Sequence, residues 1–72
     1  MEEAVDRDLA ALEQQGFSPL PGASWEPDQE SLPRGRYLLT FWALAPGRED
    51  LALEVVWRPD GQRTSQWHRC PF

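Results

Sequence analysis

Two turn sequences most constrain what this chain can fold into, because they divide its second half into three segments of alternating side chains. Residues 46–50 read Pro-Gly-Arg-Glu-Asp, and residues 59–61 read Pro-Asp-Gly. Proline and glycine in such short clusters are typical of hairpin loops. The alternation predicts strands over residues 36–45, 51–58 and 62–69, which two consecutive hairpins would join into an antiparallel meander.

Hairpin geometry predicts which side chains share a face of this sheet. Pairing Ala45 with Leu51 aligns three further pairs on one face: Ala43 with Leu53, Phe41 with Val55 and Leu39 with Trp57. In the second hairpin, a type I turn followed by Gly61 in the left-handed conformation gives a three-residue loop with a G1 bulge. That register places Trp67 on the same face, in the predicted core, whereas a plain two-residue Asp-Gly turn would direct Trp67 outward.

A short amphipathic helix is predicted near the N terminus, over residues 2–15. Its apolar residues recur at helical spacing: Val5, Leu9 and Leu12. Gly16 follows where a left-handed residue commonly ends a helix, and Phe17 can fold back onto the last turn as in a Schellman motif. The sequence therefore predicts an α+β fold, a single small domain in which one helix packs on a three-stranded antiparallel β-meander.

Residues 17–35 are predicted to form a long loop, because they contain four prolines: Pro19, Pro21, Pro27 and Pro33. Proline lacks a backbone donor, so this density excludes a helix and any central strand. Trp25 is unusual within such a segment. A large aromatic side chain in a loop either fills a gap in the core or contacts a partner.

Cysteine and histidine content limits the chemistry of the chain. Cys70 is its only cysteine and His68 its only histidine, so we expect no internal disulfide, no metal site and no cofactor. A lone thiol favours a reducing compartment. The longest apolar run, residues 38–45, is too short for a membrane helix, and residues 1–8 are acidic rather than a leader. The expected location is the cytoplasm.

The face of the predicted sheet opposite the core is too apolar for a surface that meets only water. It carries an aromatic residue among aliphatic ones, with a charged neighbour: Leu38, Trp42, Leu44, Val56 and Arg58. An aromatic anchor with a polar rim is typical of protein interfaces. We therefore expect a small non-catalytic protein-interaction module, acting as an adaptor, an accessory subunit or an inhibitor, with Trp25 as an extra anchor.

The partner of this module is expected to be another protein or a second copy of the chain, as a homodimer. The polar third segment suggests a sheet edge, where a partner strand can add, although Arg63 and Arg69 discourage unwanted pairing. An alternative is that the proline-rich loop, with Trp25, folds over the apolar face and closes a second small core.

Nucleic-acid binding is a second hypothesis, because the third segment places cations beside an aromatic: Arg63, Trp67, His68 and Arg69. Stacking and phosphate contacts of this kind bind single strands to sheet surfaces. The net charge of −5 opposes it. Charge is also uneven, with −7 over residues 1–32 and +2 over residues 33–72, so the acidic helix could instead imitate a nucleic-acid backbone.

Catalysis is not expected from this sequence. His68 and Cys70 are two residues apart and would point to the same face of a strand, the one arrangement resembling a nucleophile with its base. No Asp or Asn is evident that would orient the histidine, and a small meander offers no deep pocket. The sequence thus predicts that the protein is not an enzyme.

Overall fold

The computed structural model describes residues 2–69 and contains one helix and one sheet. Five strands and a 3-10 turn follow the helix, in the order α1 (Glu2–Gln14), β1 (Ser18–Pro19), β2 (Asp28–Ser31), the turn Pro33–Gly35, β3 (Tyr37–Leu44), β4 (Leu51–Trp57) and β5 (Arg63–Arg69). All pairings are antiparallel, in the spatial order β1-β3-β4-β5, and β2 pairs with the same edge of β3 as β1. The predicted α+β class is confirmed.

The end of helix α1 is a Schellman motif, as the sequence predicts. The Phe17 N–H donates to the Leu12 carbonyl at 3.0 Å, and the Gly16 N–H donates to the Glu13 carbonyl at 3.1 Å. Gly16 has φ +93°, which favours glycine. A Cβ atom there would lie 3.2 Å from Cβ of Pro46, so the helix end packs directly against the first hairpin loop.

Both predicted hairpin registers are confirmed, and they keep the three long strands in phase. In the first hairpin Phe41 lies opposite Val55. In the second, Gly61 has φ +90° and its N–H donates to the Arg58 carbonyl, while the Arg58 N–H donates to the Gln62 carbonyl. Odd-numbered residues of β3, β4 and β5 therefore point to the side that packs on α1, here called the helix face. Even-numbered residues point to the outer face.

The core lies between α1 and the helix face. Its buried side chains come from three turns of the helix and from β3 and β4: Val5, Leu9, Leu12, Leu39, Phe41, Ala43, Leu53, Val55 and Trp57. One directional contact joins the two layers, since the Trp57 indole N–H donates to Asp8 Oδ2 at 2.7 Å. The same carboxylate oxygen lies 2.9 Å from Nε of Arg63. Asp8 thus links α1 to both β4 and β5.

The sheet has five strands, so the predicted three-stranded meander is wrong in that detail. Strands β1 and β2 lie within the segment 17–35, which the sequence predicts to be a loop. They pair through their backbones with one edge of β3, where Pro19 is tolerated. The four residues of β2 are polar and exposed, so no alternation of apolar side chains marks them. Their pairing makes β3 a central strand.

Trp25 lies on the helix face, in the segment between β1 and β2. Its ring stacks on Phe41, with centroids 5.4 Å apart and an interplanar angle of 21°. Trp25 thereby packs against the edge of the core. The alternative in which the loop carries Trp25 over the outer face is therefore wrong, and Trp25 does not stand beside Trp42 as an extra anchor.

Trp67 lies on the helix face as its predicted register requires, but it is not part of the core. It is 53% exposed. The other helix-face residues of β5 are exposed as well, because α1 covers β3 and β4 but not this edge strand. The Trp67 ring stacks against Phe17 with centroids 6.1 Å apart. Phe17 and Trp67 form a small apolar surface at the margin of the helix.

Candidate protein-interaction surface

The outer face of the sheet contains the four apolar residues that the sequence singles out. Together they are here called the outer patch: Leu38, Trp42 and Leu44 on β3 and Val56 on β4. All four are half-buried, although they lie on the side opposite α1. Each is therefore partly shielded and partly accessible to solvent.

Trp42 is held in place by a contact that crosses the sheet. Its ring centroid lies 4.6 Å from that of His68, so it reaches from β3 over β4 to β5. The His68 Nε2 atom lies 3.0 Å from Oε1 of Glu54, which fixes the imidazole beneath the indole. Ala52, which lies opposite both Leu44 and His68, is fully buried under this arrangement. The position of the indole is thus set before any partner arrives.

Charges flank the outer patch on two sides. Strand β2 places Asp28 opposite Thr40 and Glu30 opposite Leu38, and both carboxylates are exposed. On the other side, Arg58 and Val56 share a shallow depression of about 330 Å³ with residues of β5. The outer patch therefore has an acidic flank on β2 and a basic residue at the end of β4, the polar rim typical of interfaces.

The proline-rich segment borders the outer patch at Trp42. Leu20, Ala23 and Ser24 form one wall of a cleft of about 80 Å³, and Thr40 and Trp42 form the other. This cleft places the segment beside the indole, at the β1 and β2 side of the sheet.

The four residues of the nucleic-acid hypothesis do not form one surface. Arg63, Trp67 and Arg69 point to the helix face, whereas His68 points to the outer face beneath Trp42. Strand alternation separates them, because consecutive residues point to opposite sides. In addition, the guanidinium of Arg63 is paired with Asp8. The geometry therefore gives this hypothesis little support.

Cys70, which the sequence places beside His68 as a candidate nucleophile, lies outside the residues that the structure describes. His68 itself lies between Trp42 and Glu54. Over residues 2–69, no three side chains of the types His, Cys, Asp or Glu come together in a way that could hold a metal ion. In the same range, no helix has the length and the apolar character needed to cross a membrane.

Three features of these surfaces are absent from the sequence predictions. They are the acidic flank formed by β2, the link that Asp8 makes between the helix and the sheet, and the exposed Phe17–Trp67 contact. The first depends on backbone pairing, which leaves no pattern in the side chains. The other two depend on how far α1 extends across the sheet, which local spacing does not determine.

Comparison of the chain with protein-family models, with curated proteins and with solved structures found no significant match.

Proposed function

We propose that the protein is a small non-catalytic interaction module, which binds another protein through the outer patch and acts in the cytoplasm. The observation that carries the proposal is the apolar surface around Trp42, which lies on the face that the chain's own helix leaves open. The aromatic residue of the long segment is directed elsewhere, since Trp25 packs on Phe41. Cytoplasmic location is inferred from the lone thiol.

Among the residues of the outer patch, Trp42 would contribute most to the free energy of binding a partner. Tryptophan is enriched among interface residues whose truncation costs at least about 2 kcal/mol of binding free energy. Here the indole is already positioned by His68, so binding a partner costs less side-chain conformational entropy. Leu38, Leu44 and Val56 surround it with aliphatic surface that a partner would remove from water.

The rim charges define the kind of partner that fits. Asp28 and Glu30 line the β2 side of the patch, so a complementary surface combines an apolar centre with basic residues along one side. Opposite Arg58, at the other side of the patch, the partner would carry an acidic or hydrogen-bond-accepting group. Acidic residues of a partner facing Asp28 and Glu30, or basic residues facing Arg58, would weaken the complex.

Two tryptophan variants test the proposal. Affinity capture from the host's cell extract would compare the wild type with Trp42→Ala and with Trp67→Ala, the second removing an exposed indole from the other face. We expect Trp42→Ala to lose at least about tenfold in affinity for the captured protein. Trp67→Ala should retain it. Equal capture by the wild type and Trp42→Ala would overturn the proposal.

Self-association is distinguished by the concentration dependence of the melting temperature. A homodimer through the outer patch would melt at higher temperature as protein concentration rises, because association stabilises the folded state. We expect no such dependence. A dependence that Trp42→Ala removes would assign the outer patch to a second copy of the chain instead of another protein.

A further inference from the structure

Strand β5 forms an open edge of the sheet, and the second hairpin determines which of its backbone groups lie on that edge. The Arg58 N–H donates to the Gln62 carbonyl, while the Arg58 carbonyl accepts from the bulge residue Gly61, so Arg58 directs its backbone groups toward the second strand of the hairpin. Antiparallel pairing alternates, so Thr64, Gln66 and His68 bond to β4. The residues between them direct their N–H and C=O groups away from the sheet: Arg63, Ser65, Trp67 and Arg69.

The first hairpin gives the same assignment independently. The Ala45 N–H donates to the Leu51 carbonyl, so the odd-numbered residues of β4 bond to β3 and its even-numbered residues bond to β5. Ala52, Glu54 and Val56 lie opposite the residues of β5 that the second hairpin assigns to this ladder. The open edge of β5 is therefore formed by its odd-numbered residues.

The side chains along this edge are basic and partly apolar. The edge carries Arg63 and Arg69, and no residue of β5 is acidic, although the chain as a whole has a net charge of −5. Asp8 pairs with Arg63 and Asp50 interacts electrostatically with Arg69, but both arginines stay exposed, Arg63 with 39% of its side chain, so a partner's carboxylates would compete with these two. Between the two arginines, Trp67 is 53% exposed and stacks on Phe17.

We propose that the open edge of β5 binds an extended acidic segment of a partner protein, which adds to the sheet as an antiparallel strand. This is a second surface, independent of the outer patch. Strand addition gives affinity through the backbone, and alternate side chains give specificity. Facing β5, the segment would place an acid opposite Arg69, an apolar residue opposite Trp67, a small residue opposite Ser65 and an acid opposite Arg63.

Charge is the reason to choose an acidic segment over a second copy of the chain. Another β5 strand would bring its own arginines to an edge that already carries two, and like charges on neighbouring strands oppose pairing. An acidic segment is attracted to the same edge. The apolar residue of the segment would cover the exposed side of Trp67 and the adjacent Phe17.

Binding can be measured with a designed peptide, Glu-Thr-Val-Thr-Ser-Thr-Glu with blocked ends. Titration into ¹⁵N-labelled protein should shift the amide signals of Arg63, Ser65, Trp67 and Arg69 most strongly. A matched peptide with lysine in place of both glutamates should bind at least roughly tenfold more weakly. Larger shifts on the outer patch than on β5 would overturn the proposal.

Two proline variants separate the open edge from the ladder. Ser65→Pro removes an N–H that points away from the sheet, which an edge strand tolerates, so the variant should fold and lose peptide binding. Gln66→Pro removes an N–H bonded to β4 and should disrupt β5. Unchanged peptide affinity in a folded Ser65→Pro variant would overturn the proposal.

Charge reversal gives a test that does not depend on fold stability. Arg69→Glu should weaken the acidic peptide at least roughly tenfold and should strengthen the lysine peptide. Trp42→Ala should leave peptide binding unchanged, so failure of this proposal is distinguishable from failure of the outer patch. A dimer in solution that Ser65→Pro converts to monomer would assign the edge to a second copy and overturn the proposal.

Discussion

The helix face and the outer face of the sheet are built from alternate residues of the same strands, yet they differ in what covers them. On β3, Phe41 is 4% exposed beneath the helix, and its neighbour Trp42 is half-buried on the other side. The helix face is joined to α1 by apolar packing and by Asp8. On the outer face, Trp42 contacts His68 across the sheet and borders the segment that contains Leu20 and Ala23. Apolar content alone therefore does not distinguish core from surface in this domain.

Truncating the neighbours Phe41 and Trp42 is expected to give the largest difference between the faces. Phe41→Ala leaves a cavity in the core and should cost about 3–5 kcal/mol of unfolding free energy. Native domains have about 5–15 kcal/mol in total, and a short chain lies near the lower end of that range, so this variant should lose a large part of its stability. Trp42→Ala removes a half-buried ring instead of a fully buried one, so it should cost less than Phe41→Ala; the ring contact with His68 accounts for about 0.5–1.5 kcal/mol of that cost.

Urea denaturation followed by circular dichroism measures both variants. Equal destabilisation by Phe41→Ala and Trp42→Ala would contradict the expected difference between the two faces, because it would mean that the outer face is a second core.

Removing one polar contact from each face is expected to give a smaller difference in the free energy of unfolding. Asp8→Ala leaves the buried indole N–H of Trp57 without its acceptor and removes the ion pair with Arg63, so it should cost about 1–3 kcal/mol. Glu54→Ala removes the half-buried hydrogen-bond partner of the His68 ring, which should cost about 0.5–1.5 kcal/mol, less than Asp8→Ala. Thermal unfolding of the two variants gives the order, and a larger loss in Glu54→Ala would reverse it.

The smallest effect is expected in the first hairpin loop, which belongs to neither face. The Arg48 side chain donates two hydrogen bonds to the Asp50 carboxylate, at 2.7 and 2.8 Å, and these lower the pKa of Asp50 to about 2. A carboxylate with a lowered pKa stabilises the folded state above its ordinary pKa and loses that contribution as the pH falls through the lowered value.

Asp50→Asn should therefore differ slightly from the wild type in melting temperature near neutral pH, and the difference should vanish as the pH approaches about 2. Both side chains are more than half exposed, so the difference should be close to the limit of detection. An NMR titration of the Asp50 carboxyl group checks the pKa directly. A midpoint at the ordinary value would show that the ion pair does not persist in solution.

Local chemistry predicts most of the fold. Gly16 and Phe17 predict the helix end, and the sequence Pro59-Asp60-Gly61 predicts the loop that sets the register of β5. These features are predictable because turns and helix ends require particular backbone conformations that few residues adopt. The apolar residues of the outer patch are also evident, since period-two alternation assigns them to one face.

The remaining features depend on contacts distant in sequence. Strand β2 has no apolar residue, and only the unpaired edge of β3 determines that it becomes a strand. Whether Trp25 contacts the helix face or the outer face depends on where the long segment crosses the sheet. The exposure of Trp67 depends on the width of the sheet that α1 covers. None of these is a property of local spacing.

Photo-crosslinking in the host cell tests most directly whether the outer patch binds another protein. A photoreactive phenylalanine derivative would replace Leu38 in the patch and, as a matched control, the exposed Ala10 on helix α1. We predict one adduct of defined mass from position 38 and none from position 10. Only background labelling from position 38, in a protein that remains folded, would contradict the account.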